Sequence, residues 1–300
     1  MHPARPQVLA AARPMRATCF LAKEALPAMR LAEEAVRQYH SQGFLSPIRV
    51  LSADEASGYR GKLEAIEASG RLPAGALRSK CHLLLTWVDA IVRHDNVLDA
   101  VESLIGPNIL VWGVSFFIKE PRNASFVSWH QDLTYWGLQP ADIVTAWIAL
   151  SGSTRENGAM RVVPASHTLD VMPHTDTFAA ENLLSRGQEI SVEVDARKAV
   201  ALELAPGEMS LHHVKLIHGS EPNPSAKRRI GLAVRYIPTY VRQTAGMIDS
   251  ASLVRGTDSF GHFHSEQRPL ADLSPAAIAH HAEVTGAATR ILMRGTSKAM

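Results

Sequence analysis

Apolar side chains recur at Leu31, Ala35, Val36 and Tyr39 in MRLAEEAVRQYHSQ (residues 29–42). That spacing marks one face of an amphipathic helix, and Gly43 supplies its stop. FLSPIRVL then reads as a short extended segment. SADEASGYRGKLEAIEASG opens on a Ser/Asp capping signal and closes at Gly70, which predicts a second helix. LLLTWVDAIVRHDNVLDAVESLIG predicts two further helical pieces, joined near His94 and ended by Gly106. From Asn108 to about Tyr240 the pattern changes. NILVWGVSFFIKE, SFVSWHQD, DIVTAWIALS, MRVVPASH, QEISVEV, AVALELAPGEMSLHH and RRIGLAVRYIP are rich in β-branched and aromatic residues, with Gly, Pro and Asn between them. Many short strands with irregular loops predict a mainly β fold, a sandwich or jelly roll flanked by helices. A last helical patch, SPAAIAHHAEVTGAATRILMRG, lies in the tail.

Composition narrows the class. The chain has 300 residues, 46% hydrophobic and 20% charged, which suits a globular protein with a sizeable core. A formal net charge of +2 implies no nucleic-acid or membrane-surface partner. Apolar runs such as ILVWGVSFFI are far shorter than a membrane span. There are two cysteines, Cys19 and Cys81, and no CxxC pair, so a zinc ribbon and a disulfide scaffold are excluded and a reducing cytoplasm is expected. Met1 to Lys23 carries Arg5, Arg13, Arg16 and Lys23 but no acid. A targeting peptide can have that bias, yet no clear apolar region or cleavage motif accompanies it. The expected organisation is a weakly ordered or accessory arm over 1–28 and a single domain over 29–300, with a jelly-roll core at about 107–240.

The candidate chemistry starts in SFVSWHQDLTYWG (125–137). His130 and Asp132 are two apart, so on a strand they share a face with Cα atoms roughly 6.5 Å apart. A third ligand must come from elsewhere, and His218 in LIHGSEPNP, ending an apolar run before a turn, is the best candidate. His212 and His213 compete for the role. Six residues of unbroken strand would place His212 roughly 20 Å from His218. Two histidines and one carboxylate on one face form the facial triad of non-haem Fe(II) oxygenases, which leaves positions open. Zinc accepts the same ligands.

In order and spacing, GPNI (106–109), WHQDLTYW (129–136), TAWIAL (145–150), ENGAMRVVPASH (156–167), PGEMSLHH (206–213) and HGSEPNPSAKRRIGLAVRY (218–236) resemble the phytanoyl-CoA dioxygenase family. The resemblance implies a double-stranded β-helix, a cupin-like jelly roll. It implies Fe(II) on His130, Asp132 and His218, with 2-oxoglutarate and O2 as cosubstrates. It also implies Arg229 as the clamp on the far carboxylate of 2-oxoglutarate, since a guanidinium matches a carboxylate bidentately. Ser220 is expected to assist, Gln131 to lie near the cosubstrate, Lys80 to lie near its C1 end, and Trp147 to line the pocket, although core packing would serve Trp147 equally. Arg228 is expected to face the other way as a solvated charge. Tyr135, Trp136 and Trp112 are read either as substrate-side or as packing residues. SASLVRGTDSFGHF (250–263) is read as a lid carrying Arg255 or His262.

The reaction so implied is hydroxylation of a small-molecule metabolite or natural-product intermediate, with succinate and CO2 as coproducts. No basic cluster that would cradle a CoA nucleotide is evident. A halogenase would carry a small residue at Asp132. A zinc-dependent cupin-like hydrolase or isomerase, or a metal-dependent binding protein, is the alternative, and neither needs Arg229 with Ser220. No oligomeric state follows from the sequence.

Overall fold

A computed structural model of the chain describes Met1, residues 30–247 and residues 249–296. The expected arm over 1–28 lies, apart from Met1, outside the described residues. Helix α1 (Glu33–Gln42) leads into strand β1 (Phe44–Arg49), followed by helices α2 (Ala53–Ala68), α3 (Thr86–Val92) and α4 (Asp95–Ile105). The β region follows with β2 (Ile109–Lys119), β3 (Val127–His130), β4 (Leu138–Gln139), β5 (Val144–Ala149), β6 (Arg161–Val162), β7 (His174–Asp176), β8 (Gln188–Ile190) and β9 (Val200–Ala201). It continues with β10 (Glu208–His213), β11 (His218–Ser220), β12 (Arg229–Pro238), β13 (Arg242–Gln243), β14 (Ser250–Arg255) and β15 (His264–Ser265), and helix α5 (Pro275–Leu292) closes the described chain.

The helix boundaries follow local chemistry. Gly43 ends α1 at φ 80°, its N–H donating to the Tyr39 carbonyl at 2.7 Å. The left-handed conformation is one that glycine reaches without a Cβ penalty. At the start of α2 the Ser52 Oγ accepts from the Glu55 N–H, and the Glu55 carboxylate accepts from the Ser52 N–H. Two donors otherwise left unpaired at the helix start are thereby satisfied.

The strands form a seven-stranded sheet in the order β1-β10-β5-β12-β2-β14-β15 and a four-stranded sheet in the order β3-β11-β6-β9. This is the expected jelly roll. The large sheet reaches beyond 107–240, because β1 pairs with β10 and β14 pairs with β2. The segment read as a lid is therefore in part a sheet strand. Arg255 is held there by Asp99 and Glu102 of α4 at 2.7 and 2.8 Å, and it carries nothing to the cavity.

The period of two sorts the large sheet into faces. On β12, Ile230, Leu232, Val234 and Tyr236 join α1–α4 in the main core, with Ala146 and Ile148 of β5 and Met209 and Leu211 of β10. Arg229, Ala233 and Arg235, with Thr145, Trp147 and His212, line a cavity on the opposite face. Val127, His130, His218 and Ser220 of the smaller sheet line the same cavity. Among the described residues no helix is long and apolar enough to cross a membrane.

Candidate metal centre

His130 ends β3, Asp132 begins a 3-10 turn directly after it, and His218 opens β11. His130 and His218 face each other across the β3–β11 pairing, with ring centroids 4.1 Å apart. The three potential ligand atoms lie within 4.8 Å of one another and all three residues are buried. The register places the histidines; the turn, rather than strand parity, brings the carboxylate to them.

The hydrogen bonds fix the tautomers. His130 Nδ1 donates to the Ser128 carbonyl and His218 Nδ1 to the Leu216 carbonyl, both at 2.9 Å. Each Nε2 therefore presents a lone pair. His130 Nε2 is 3.3 Å and His218 Nε2 4.0 Å from Asp132 Oδ1. Lone pairs packed against a buried carboxylate repel unless a cation lies between them, so the donor set fits a divalent metal. Burial alone would push the Asp132 carboxyl upward. The imidazoles of His130 and His218 and the Arg235 guanidinium instead hold it well below the usual carboxylate range. Burial, reinforced by His130, pushes His218 well below the usual imidazole range, which keeps it neutral as a ligand must be.

The other end of the cavity is cationic. Arg229 is buried at the start of β12 and donates to the Gly158 carbonyl, while its Nε has no partner. Burial pushes its guanidinium down to about 9. Trp147 lies beside it, 5.4 Å from ring centroid to guanidinium carbon. The ring occupies space that only glycine leaves free, because a Cβ at Gly231 would fall 1.9 Å from it. Lys119, directly opposite Arg229 in the β2–β12 register, is also buried. Its Nζ donates to Ser220 Oγ at 2.7 Å and to the Glu221 carbonyl. Burial first, then the adjacent Arg229, push Lys119 down to about 6, against an upward pull from Glu221. Arg229, buried with no carboxylate partner among the described residues and with Lys119 beside it, makes this end of the cavity an anion site.

Lys119 was not singled out in the sequence. Laying FFIKE of β2 against RRIGL of β12 in antiparallel register would have found it, since Ser115, Phe117 and Lys119 share the parity of the cavity face.

Lys80 and Gln131 depart from the sequence expectations. Lys80 does not reach the cavity; its Nζ donates to the Trp112 and Ser250 carbonyls and to Glu266, with Glu266 at 2.5 Å. Every proton of that ammonium is used in a separate buried network. Gln131 points away from the cavity, where its Nε2 donates to the Lys215 carbonyl at 2.9 Å and its Oε1 accepts from the Met172 N–H at 2.8 Å. It braces the loop behind the triad.

His212 is corrected in the opposite sense. The chain leaves β10 after His213 and turns through Val214–Ile217 into the other sheet, so no unbroken strand separates His212 from His218. Its Nε2 lies 3.9 Å from Asp132 Oδ2. Arg228 does face away, but it is paired with Glu67 and Glu120 rather than solvated. Trp112 and Trp136 pack together at 4.9 Å, with Trp112 Nε1 donating to Asp249. Arg186 sits over the Tyr135 ring at 3.9 Å, and His262 lines a separate open cleft with Tyr240 and Arg242.

Comparison with known proteins agrees with this architecture. The sequence matches the family model for phytanoyl-CoA dioxygenase (PhyH) over residues 39–231, and the chain belongs to that family. It is 32% identical over 157 residues to a probable alpha-ketoglutarate-dependent hypophosphite dioxygenase of Stutzerimonas stutzeri, covering 52% of this chain and 54% of that protein. The chain spans about half the length of that relative, and 43% of the human peroxisomal phytanoyl-CoA dioxygenase. Among solved structures, the non-heme monooxygenase ThoJ in its apo form superposes with a TM-score of 0.78 at 34% identity, covering 86% of this chain and 97% of that one. CytC3 with Fe(II) and alpha-ketoglutarate shares the fold at a TM-score of 0.63 and 22% identity, covering 83% and 98%.

Proposed function

We propose that the chain is an Fe(II)- and 2-oxoglutarate-dependent dioxygenase that hydroxylates a small molecule and converts 2-oxoglutarate to succinate and CO2. One observation carries this reading: a single cavity has a two-histidine, one-carboxylate set on one wall and the buried guanidinium of Arg229 at one end, with Lys119 behind Ser220. A metal site without redox work has no use for that buried guanidinium, whereas a dicarboxylate cosubstrate needs both features. The Stutzerimonas relative, a probable alpha-ketoglutarate-dependent dioxygenase, and the non-heme monooxygenase ThoJ support the same assignment.

In this reading His130, Asp132 and His218 hold the metal, which supplies the oxidising chemistry together with O2 and the cosubstrate. The protein's own work is placement. Arg229, Lys119 and the Ser220 hydroxyl receive the far carboxylate, and Trp147 walls that end. The Ser128 and Leu216 carbonyls fix the imidazole orientations. The apolar walls of Phe117, Val127 and Met160 exclude water. A cytoplasmic setting belongs to the same reading and rests on cysteine usage; Cys81 is buried and unpaired.

The test is reconstitution under anaerobic conditions with Fe(II) and 2-oxoglutarate, followed by air and a metabolite screen for succinate. Succinate release that requires Fe(II) and disappears on chelation is expected. Turnover supported by Zn(II) without 2-oxoglutarate consumption would replace this reading with the hydrolase alternative.

A pH linkage follows from Lys119. Without a dicarboxylate, its folded pKa of about 6 leaves it largely neutral at pH 7.5. A bound carboxylate restores the charged form, so cosubstrate binding takes up as much as about one proton, and affinity falls as pH rises above about 6. In the ligand-free protein the sign is the converse. The folded-state pKa is depressed below that of unfolded lysine, so between the two the unfolded chain binds more protons and stability rises with pH. Calorimetric titration of 2-oxoglutarate in buffers of different ionisation enthalpy measures the uptake. Lys119→Met should abolish it, and no uptake by the unmodified protein would remove Lys119 from the clamp.

A further inference from the structure

The cavity has a second guanidinium. Arg235 lies six residues along β12 from Arg229 on the same face, roughly 20 Å by strand rise. Its Nη1 donates to Ser115 Oγ at 2.8 Å and to the Ala233 carbonyl at 3.3 Å, and its Nε is buried without a partner. The guanidinium carbon is 5.7 Å from the ring centroids of both Phe117 and Trp136. Among the described residues no carboxylate forms an ion pair with it.

The register places polar company beside it. Arg235 pairs with Thr145 of β5, and Thr145 pairs with His212 of β10, so the three form a row across adjacent strands. The row abuts the triad: Thr145 Oγ1 is 3.5 Å and His212 Nε2 3.9 Å from Asp132 Oδ2. His212 is itself buried, and its Nδ1 has no partner.

The balance of charge gives this row a purpose. Among the described residues Asp132 is the only acid lining the cavity, against Arg229, Arg235 and, behind Ser220, Lys119. A divalent ion on the triad consumes the charge of Asp132. A dicarboxylate cosubstrate would be held by Arg229, with Ser220 and Lys119 behind it. Arg235 is then left without an anion in a largely apolar enclosure, which is a costly arrangement unless a ligand brings one.

We propose that Arg235, with His212 and Thr145, is the substrate-recognition site, and that the substrate carries an oxyanion, a carboxylate or a phosphorus oxyacid, held next to the metal. The inference rests on the dioxygenase reading and goes further, since it names the substrate class and a specificity-determining residue. Planar guanidinium geometry suits a two-oxygen face. The rings of Phe117 and Trp136 both lie 5.7 Å from it and limit its freedom to turn.

The experiment titrates butyrate, methylphosphonate and the neutral butyramide into protein loaded with redox-inert Ni(II) and 2-oxoglutarate without oxygen, read by calorimetry. Unmodified protein is expected to bind at least one of the anions and not the amide. Arg235→Gln should weaken that anion about 10- to 100-fold while 2-oxoglutarate affinity in the Ni(II) protein changes by less than about twofold. Retained 2-oxoglutarate binding also reports that the variant is folded. Arg235→Lys should fall between the two proteins, and the ratio of butyrate to methylphosphonate binding distinguishes the two anion classes. Equal anion binding by unmodified protein and Arg235→Gln, equal binding of the amide, or loss of 2-oxoglutarate instead of the anion would each overturn the proposal. The same anions are titrated into Arg229→Gln and the double variant without 2-oxoglutarate. If 2-oxoglutarate fails to bind the unmodified protein, the dioxygenase reading fails, but this arm still decides Arg235: dependence on it sustains the anion site and independence rejects it.

Discussion

Arg229→Ala is expected to raise the 2-oxoglutarate requirement by about two to three orders of magnitude. The guanidinium is buried, and among the described residues its Nε has no protein partner and no side-chain carboxylate competes for it. Breaking a desolvated charge pair from one side costs about 3 to 5 kcal/mol, which corresponds to that range of affinity. Lys119, directly across the β2–β12 pairing, retains part of the attraction and sets the lower end of the range. Metal affinity should be unchanged, because Arg229 touches none of His130, Asp132 or His218. Arg228→Ala is the matched control: its guanidinium is on the opposite face, bound to Glu67 and Glu120. Succinate release against 2-oxoglutarate concentration reads all three proteins. Equal dependence in all three would remove the clamp from the mechanism and favour a zinc-based hydrolase.

Asp132→Ala should abolish succinate formation and weaken metal binding by more than about 100-fold, because even residues that only orient metal ligands contribute 10- to 100-fold. The variant removes the one anionic ligand of the set and leaves two imidazoles. His212→Ala is the informative comparison. His212 is close to Asp132 but is not among the converging ligand atoms, so metal affinity should stay near that of the unmodified protein. Competition titration with a chelating indicator measures both. The pH dependence adds a check. Asp132 is held below the usual carboxylate range and His218 below the usual imidazole range. Protons should therefore begin to displace the metal only at a pH below the ordinary imidazole midpoint of about 6.5. Displacement beginning above that midpoint would contradict the environment described for His218.

The strands, the helices and the convergent triad were legible because each leaves a local mark. Runs of β-branched and aromatic residues between Gly, Pro and Asn marked β2, β5, β10 and β12; Ser52 and Gly43 marked helix ends. His130 and Asp132 are neighbours in sequence, and His218 closes an apolar run before Gly219. What escaped the sequence was set by long-range register. Lys119 looks like an ordinary lysine ending a strand until β2 is laid against β12. His212 looked remote from His218 because the turn at Val214–Ile217, which carries no Gly or Pro, gives no sign that the chain changes sheets. Lys80 and Gln131 matched short motifs, but side-chain direction is decided by neighbours: Glu266 lies 186 residues from Lys80 in sequence, and the Lys215 carbonyl 84 residues from Gln131. The strand at Ser250–Arg255 was hidden in a glycine-containing segment that resembled a loop.

The cavity face of β12 carries Arg229, Gly231, Ala233 and Arg235, while its other face carries Ile230, Leu232, Val234 and Tyr236. For anyone altering this protein, that ordering separates what can be tuned from what cannot. Residue exchanges at the Arg235 end address one ligand, and those at the Arg229 end address the other. The small residues between them keep the two design problems apart. A single-residue insertion or deletion within the strand is a different matter. It would present isoleucine, leucine and valine to the cavity and drive two guanidinium groups into the helix-packed core. Library diversity therefore belongs in substitutions along this strand, with length variation confined to the loops that flank it.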